Sequence, residues 1–236
     1  LPVIALIGLI FGYFLFINFE TEDKEINKER KFSDVTIKDA ILYIKNTENI
    51  WILLMIGFGM MLFWSFPQPL LPLHSREVLN IGGSGYAILS GLYFAGSAIG
   101  SLLITFSIIK IRRSKILIIS ALLFAIFAML IYNSTSPIIC SILILASGVS
   151  HSIWWISMLV FIQTITKESY KGRIVGFYFS LMVSIALGSI LGGLIAEYIG
   201  IKLTIYIAMI SLIIIHLLAL FSNKFRKLDL VNQDSY

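Results

Sequence analysis

His151 stands near the middle of a long apolar run, Ile138–Ile165. An imidazole in such surroundings is costly and is a functional candidate: it can bind a solute or exchange a proton near neutral pH. The bland alternative is a neutral ring hydrogen-bonded between helices. Ser147, His151, Trp154 and Met158 recur at steps of four, three and four, which is one face of an α-helix. Gly57, Met61, Trp64 and Gln68 repeat those steps in an earlier run. Aromatic, thioether, hydroxyl and amide groups on such faces suit a bulky amphipathic ligand. The pattern predicts a substrate cavity lined by Met61, Trp64, Gln68, Ser147, His151, Trp154 and Met158. Trp51, nearer the end of its run, reads as an interfacial anchor. Trp155 can face lipid, a neighbouring helix or the cavity. His216, amid Ile213–Leu218, reads as a packed, neutral side chain.

Other chemistry is missing. No apolar run holds an Asp or Glu near its centre, and Glu197 lies close to an end. There is no nucleotide-binding loop, no H-E-x-x-H pair and no Ser/His/Asp set. The single cysteine, Cys140, allows neither an internal disulfide nor a thiolate metal cluster. No enzyme activity, metal or cofactor is expected, though proton coupling remains open. Pro67, Pro69 and Pro72 cluster at the end of one run. Each removes a backbone donor and crowds the preceding turn, which predicts a kink at a gate or, more plainly, the end of a helix. Small residues recur every fourth position at Ser180, Ser184, Gly188, Gly192 and Ala196, and again at Gly96 and Gly100. Such stripes let helix backbones approach closely.

The elements that carry these residues follow from composition. The chain has 236 residues, 58% hydrophobic and 13% charged, with a mean hydropathy of +0.93. Soluble domains are about 45–50% apolar and about 25% charged. A soluble enzyme, a disulfide scaffold and a disordered chain are excluded. A membrane-spanning helix needs about 20 apolar residues. Seven stretches qualify or nearly do: roughly Leu1–Phe19, Ile50–Leu73, Gly85–Ile109, Ile116–Tyr132, Ile138–Ile165, Ile174–Tyr198 and Ile201–Ser222. They are too long and too continuous for barrel strands.

The charges give these spans a direction. Sixteen of the eighteen Lys and Arg residues fall on one alternating set of segments, and only Arg76 and Lys202 on the other. Positive loops stay in the cytoplasm, so Leu1 is expected outside, with the linker 20–49 and the tail 223–236 inside. The net charge of +5 is thereby explained without nucleic acid as a partner. Within the linker, Ser33 or Asp34 could cap a short helix in which Ile37, Ile41 and Ile44 recur at helical spacing. That fits an amphipathic helix on the inner membrane surface; a plain flexible connector is the alternative. The opening at Leu1, inside an apolar run, suggests a natural start further upstream.

Spans two to seven divide three plus three across the tight turn Asn133–Pro137, and the second triplet enters from the opposite side, as in an inverted repeat. Three stretches then carry a resemblance. One is Leu70-Leu71-Pro72-Leu73 with Arg76-Glu77-Val78-Leu79 and Gly85, Gly91 and Gly96. The second is Lys110-Ile111-Arg112-Arg113-Ser114-Lys115. The third is Lys167-Glu168 with Lys171-Gly172-Arg173 and Gly176. The chain resembles the C-terminal half of a bacterial major facilitator superfamily transporter, closest to the enterobactin-exporter-like and macrolide-efflux-like branch. Ile109 and Arg112 stand where that family's basic loop carries an acidic residue and a glycine.

The resemblance implies an all-α polytopic bundle: family helix six (1–19), a cytoplasmic linker (20–49), helices seven to twelve (50–222) and a cytoplasmic tail. It places Trp64 and His151 on cavity-lining helices, and Arg112, Arg113, Glu168, Gly172 and Arg173 in cytoplasmic loop motifs. It also sets the stripes of Gly96, Gly100, Ser184, Gly188 and Gly192 toward a missing N-terminal half. The implied function is export of a small amphipathic molecule, such as a drug or siderophore, by alternating access in the bacterial inner membrane. An ATP-driven permease subunit and a half-size product needing a partner remain alternatives.

Overall fold

The computed structural model describes residues 36–106 and 113–221. The expected first span, most of the linker, Arg112, the side chain of Arg113 and the tail 223–236 lie outside the described residues. Among the described residues every regular element is helical: α1 (Ile37–Asn46), α2 (Glu48–Trp64), α3 (Leu71–Glu77), α4 (Gly82–Thr105), α5 (Arg113–Asn133), α6 (Pro137–Ile165), α7 (Lys171–Ser180), α8 (Val183–Ile199) and α9 (Ile201–Phe221), with a 3₁₀ turn at Glu168–Tyr170. Among the described residues, five segments are long and apolar enough to cross a membrane: α4, α5, α6, the α7–α8 unit and α9. The count becomes six if α1 and α2, bent by 98° against each other, are taken as one span.

Two expected spans are interrupted, and proline or local backbone bonding explains how. Ile50–Leu73 is not one helix, because α2 stops at Trp64. Pro67 and Pro69 have no N–H to give the Phe63 and Ser65 carbonyls. Those acceptors are instead taken by the N–H groups of Phe66 (3.3 Å) and Gln68 (3.1 Å), giving a run of tight turns before α3 begins. Pro72 lies in the first turn of α3, where a missing N–H costs nothing. In the sixth expected span, α7 and α8 are separated by a 3₁₀ step. Leu181 and Met182 donate to the carbonyls of Tyr178 and Phe179, three residues back.

The cap of α1 is Thr36, not Ser33 or Asp34. Its hydroxyl accepts from Asp39 N–H at 3.2 Å and its N–H donates to the Asp39 carboxylate at 2.8 Å, a reciprocal box. Ile44 and Ala40 face the bundle, whereas Ile37, Ile41 and Leu42 remain exposed. Tyr43 stacks on Tyr170 with ring centroids 4.2 Å apart, and its hydroxyl accepts from Lys167 N–H. These contacts dock α1 on the α6–α7 connection.

Helix α6 is the axis of the described bundle, packed along α4 and α5, while α9 joins α5 to α2 and α2 backs onto α8. Its contact with α4 is set by glycine. A Cβ on Gly96 would run into the Leu145 carbonyl, one on Gly148 into the Tyr93 carbonyl, and one on Gly100 into Val149 backbone. The second stripe does the same against α2: Gly188 lies on the Leu62 carbonyl and Gly192 on Phe66 backbone. Ser184 is fully buried beside them. These residues do not form a free face turned toward further helices, because they are already consumed inside the bundle. The outward surfaces of α4 and α8 are apolar and different, with Ile88, Phe94, Val183, Ile190 and Tyr198 among their exposed residues.

Gly96→Leu or Gly148→Leu should therefore lower bundle stability by about 2 kcal/mol or more, through overpacking against backbone. Gly91→Ala, where an added Cβ meets nothing within 4 Å, should be neutral or slightly stabilising. Reversible unfolding in mixed micelles measures both.

Candidate functional site

A pocket of about 230 Å³ opens between α2, α3, α4, α5 and α6. From α2 and the turns after it come Trp64, Pro67 and Gln68; Leu71 opens α3. Helix α4 adds Tyr86, Ser90, Tyr93 and Phe94, α5 adds Phe124, Ala128, Ile131 and Tyr132, and α6 adds Ile144 and Ser147. No lining residue is charged. Six are aromatic, and the polar groups are few, as in a site for a small and largely apolar ligand.

Several polar groups are already committed. Trp64 Nε1 donates to Tyr93 Oη at 3.0 Å, which fixes both rings. Tyr132 Oη donates to the Pro67 carbonyl at 2.7 Å. That carbonyl also accepts from the N–H groups of Leu70 and Leu71, so the proline turns are pinned to α5. Ser147 Oγ returns to the Ile144 carbonyl of its own helix. The Gln68 side chain is exposed and, like Ser90, makes no side-chain hydrogen bond among the described residues. These two, with the Tyr86 hydroxyl, which likewise makes no hydrogen bond among the described residues, are the groups free to meet a ligand.

His151 lies behind this wall. Its ring stacks on Trp64, with centroids 4.6 Å apart and planes 12° apart. Tyr93 and Phe124 lie at 6.0 Å and Trp155 at 6.1 Å. His151 is thus boxed by aromatic rings, two of which it shares with the pocket besides Trp64. Its nitrogens make no hydrogen bond among the described residues.

Of the seven expected cavity residues, Trp64, Gln68 and Ser147 line the pocket and His151 supports it. Met61, Trp154 and Met158 are at most 1% exposed and lie in helix packing. Met158 meets Gly57 and Tyr178 meets the same glycine, filling the α2–α6 seam. Trp154 turns to α9, where its Nε1 donates to His216 Nε2 at 3.1 Å. His216 Nδ1 lies 2.9 Å from the Leu212 carbonyl, so the tautomer with its proton on Nδ1 satisfies both atoms. A four-three-four spacing selects one face, but that face is wide enough to meet two neighbours. The residues that spacing missed, Tyr86, Ser90 and Tyr93, or Phe124, Ala128 and Ile131, also step by four and three. Their types are those of ordinary packing.

The prolines sit at the pocket edge, with Pro67 lining it and Pro69 and Pro72 exposed. At the opposite end of α6, Glu168 pairs with Lys171 at 2.6 Å in the open. Gly172 there meets nothing within 4 Å, and Arg173 is exposed. Nothing brings this loop to the pocket. Among the described residues no group of His, Cys, Asp or Glu could hold a metal ion.

Among the described residues, an all-helical bundle with five or six apolar spans, proline turns after α2 and an uncharged pocket is the setting of a membrane transporter. The model of the Major Facilitator Superfamily matches residues 53–232. The chain belongs to the major facilitator superfamily. It is an integral, multi-pass membrane protein of a transporter family rather than of an enzyme family. Neither the curated proteins nor the solved structures gave a match.

The Trp154–His216 bond gives a control that separates folding from binding. His216→Phe should leave Trp154 Nε1 without an acceptor and cost about 1–3 kcal/mol of stability. Ligand affinity at the pocket should not change, and equilibrium binding alongside micelle unfolding checks both.

Proposed function

We propose that this major facilitator chain acts as the C-terminal half of a secondary active exporter of a small amphipathic molecule, a drug or siderophore. The pocket contributes its half of the substrate site. The observation that carries this reading is the lining itself: six aromatic residues, no charge and three uncommitted polar groups, on Gln68, Tyr86 and Ser90. Trp64 offers the stacking surface, and Tyr93 holds it in place. The hydrogen-bonding edges of Gln68 and Ser90 orient the bound molecule. The family match supports secondary transport over an ATP-driven permease.

The sidedness follows from the basic residues. The α6–α7 connection and the linker face the cytoplasm of a bacterial cell, and the proline turns and α3 face outward. Interrupted helices beside a pocket are tolerated because the freed backbone groups find partners there, as Pro67 does in Tyr132. Pro67, Pro69 and Pro72 would then form the hinge of an outer gate during alternating access. The exposed apolar faces of α4 and α8 supply surface for a complementary half and for lipid. His151, boxed behind Trp64, is the one histidine of the span that carries the pocket's inner wall, so it is a residue through which proton coupling would reach the bound molecule.

Energised vesicles containing the complete transporter should expel a fluorescent amphipathic drug. Trp64→Ala should lower the specific transport rate about tenfold or more, the equivalent of losing one good aromatic contact. Gln68→Ala should raise the apparent KM more than it lowers the maximal rate. Transport that is indifferent to Trp64→Ala in correctly folded protein would sink the pocket assignment. Flux unchanged on collapsing the proton gradient would remove proton coupling.

A further inference from the structure

His74 has no part in the site as described, yet it is placed where it can act on it. It lies on α3, just beyond the proline turns, and is only 1% exposed. Its Nε2 is buried without a hydrogen-bond partner. Its ring packs against Tyr132 with centroids 5.0 Å apart and planes 50° apart. Tyr132 lines the pocket and ties the Pro67 carbonyl, which also belongs to the wall. One aromatic ring therefore touches the histidine, the hinge and the pocket.

We propose that His74 is a proton-binding site whose occupancy controls the pocket wall through Tyr132.

Every charged or titratable neighbour bears on this. The carbonyls of Ser134 and Ile131, at the C-terminal end of α5, lie beside the ring and favour a proton. Lys202, at the start of α9, opposes it. Cys140 Sγ is turned to the Ile131 carbonyl, and Tyr206 is bonded to Asn133, so neither serves the imidazole. Tyr86 approaches Tyr132 from α4. Arg76 and Glu77, on α3 itself, are exposed. No carboxylate acts on His74 among the described residues. Burial outweighs the carbonyls and holds the ring below the ordinary histidine range.

The neutral ring therefore belongs to the packed arrangement. Its contribution to stability is complete above about pH 6.5, the unfolded-state value, and is lost as pH falls through the lower folded-state value. A proton arriving on Nε2 creates a buried cation that the Ser134 and Ile131 carbonyls offset only in part. The relief is to draw α3 toward water. That movement takes the His74 face off Tyr132 and loosens the Pro67 tie, so acidification at this end opens the wall.

The test uses the full chain in lipid nanodiscs and needs no transported substrate, so it can fail independently of the exporter reading. Histidine side-chain NMR, with the three histidines assigned by single replacement, follows the titration. Quenching of tryptophan fluorescence by neutral acrylamide, in a chain carrying Trp51→Phe and Trp155→Phe and with Trp154 fully buried, follows access to Trp64. Quenching should rise on acidification, with the same midpoint as the His74 resonance. That rise should disappear in His74→Asn and in Tyr132→Phe, which keeps the ring but cuts the tie to Pro67. It should persist in His216→Asn, since the His216 ring bonds Trp154 away from the pocket. If His74→Asn misfolds by circular dichroism, His74→Gln and the wild-type titration carry the test. A His74 resonance that does not titrate above pH 4 would overturn the proposal. So would a fall in quenching, a response that survives His74→Asn, or one abolished by His216→Asn instead.

Discussion

The bundle depends on the contact of two helix backbones along the α4–α6 seam. In lipid there is little hydrophobic gain in bringing helices together, so close packing has to supply the attraction. Gly96, Gly100 and Gly148 allow it, each with its missing Cβ occupied by backbone of the facing helix. Because the exchange is reciprocal, neither helix can slide or rotate without a clash. That fixes the bearing of Tyr93 on α4 and of Ser147 and His151 on α6. The aromatic wall of the pocket is a consequence of this seam.

The second constraint is the proline cluster. In water, an interrupted helix end can be solvated; inside a membrane its freed carbonyls need partners. The chain answers with local i to i+3 bonds and two long-range ones, from Tyr132 to the Pro67 carbonyl and from Ser189 to the Ser65 carbonyl. The result is a wall segment held by few interactions beside a pocket that is itself uncharged. Weakly held backbone of this kind is where motion concentrates. At the opposite end, the Tyr43–Tyr170 stack joins a surface helix to the α6–α7 connection. The connection after α6 is thus held by aromatic stacking, and the turns after α2 by a hydrogen-bonded tyrosine of α5.

Much of the fold was legible because lipid imposes so simple a rule. Runs such as Ile116–Tyr132 and Ile138–Ile165 became α5 and α6 almost residue for residue, since length and apolarity alone decide whether a helix can span. Where backbone chemistry intervened, the reading shifted: α2 stopped at Trp64, and a 3₁₀ step split α7 from α8. The cap of α1 moved to Thr36 because only Thr36 stands three residues before Asp39. The site was half legible. Trp64, Gln68 and Ser147 were found by spacing, but Trp154, with the same spacing, bonds His216 on α9. The residues missed, Tyr93 and Tyr132 above all, carry no chemistry that distinguishes them from packing until their partners are known.

Composition and charge placed this chain in a membrane, located most of its described helices, marked which end of each carries positive charge, and pointed to its family. Those are properties of single segments, and a segment's transfer to lipid depends on its own composition. Only the tertiary structure decided which stripe of small residues was already used, which histidine was satisfied, and which rings shared a wall. Such facts concern pairs of residues far apart in the chain. His74 shows the difference most clearly, being one more residue of a short polar stretch until packing buries it against Tyr132.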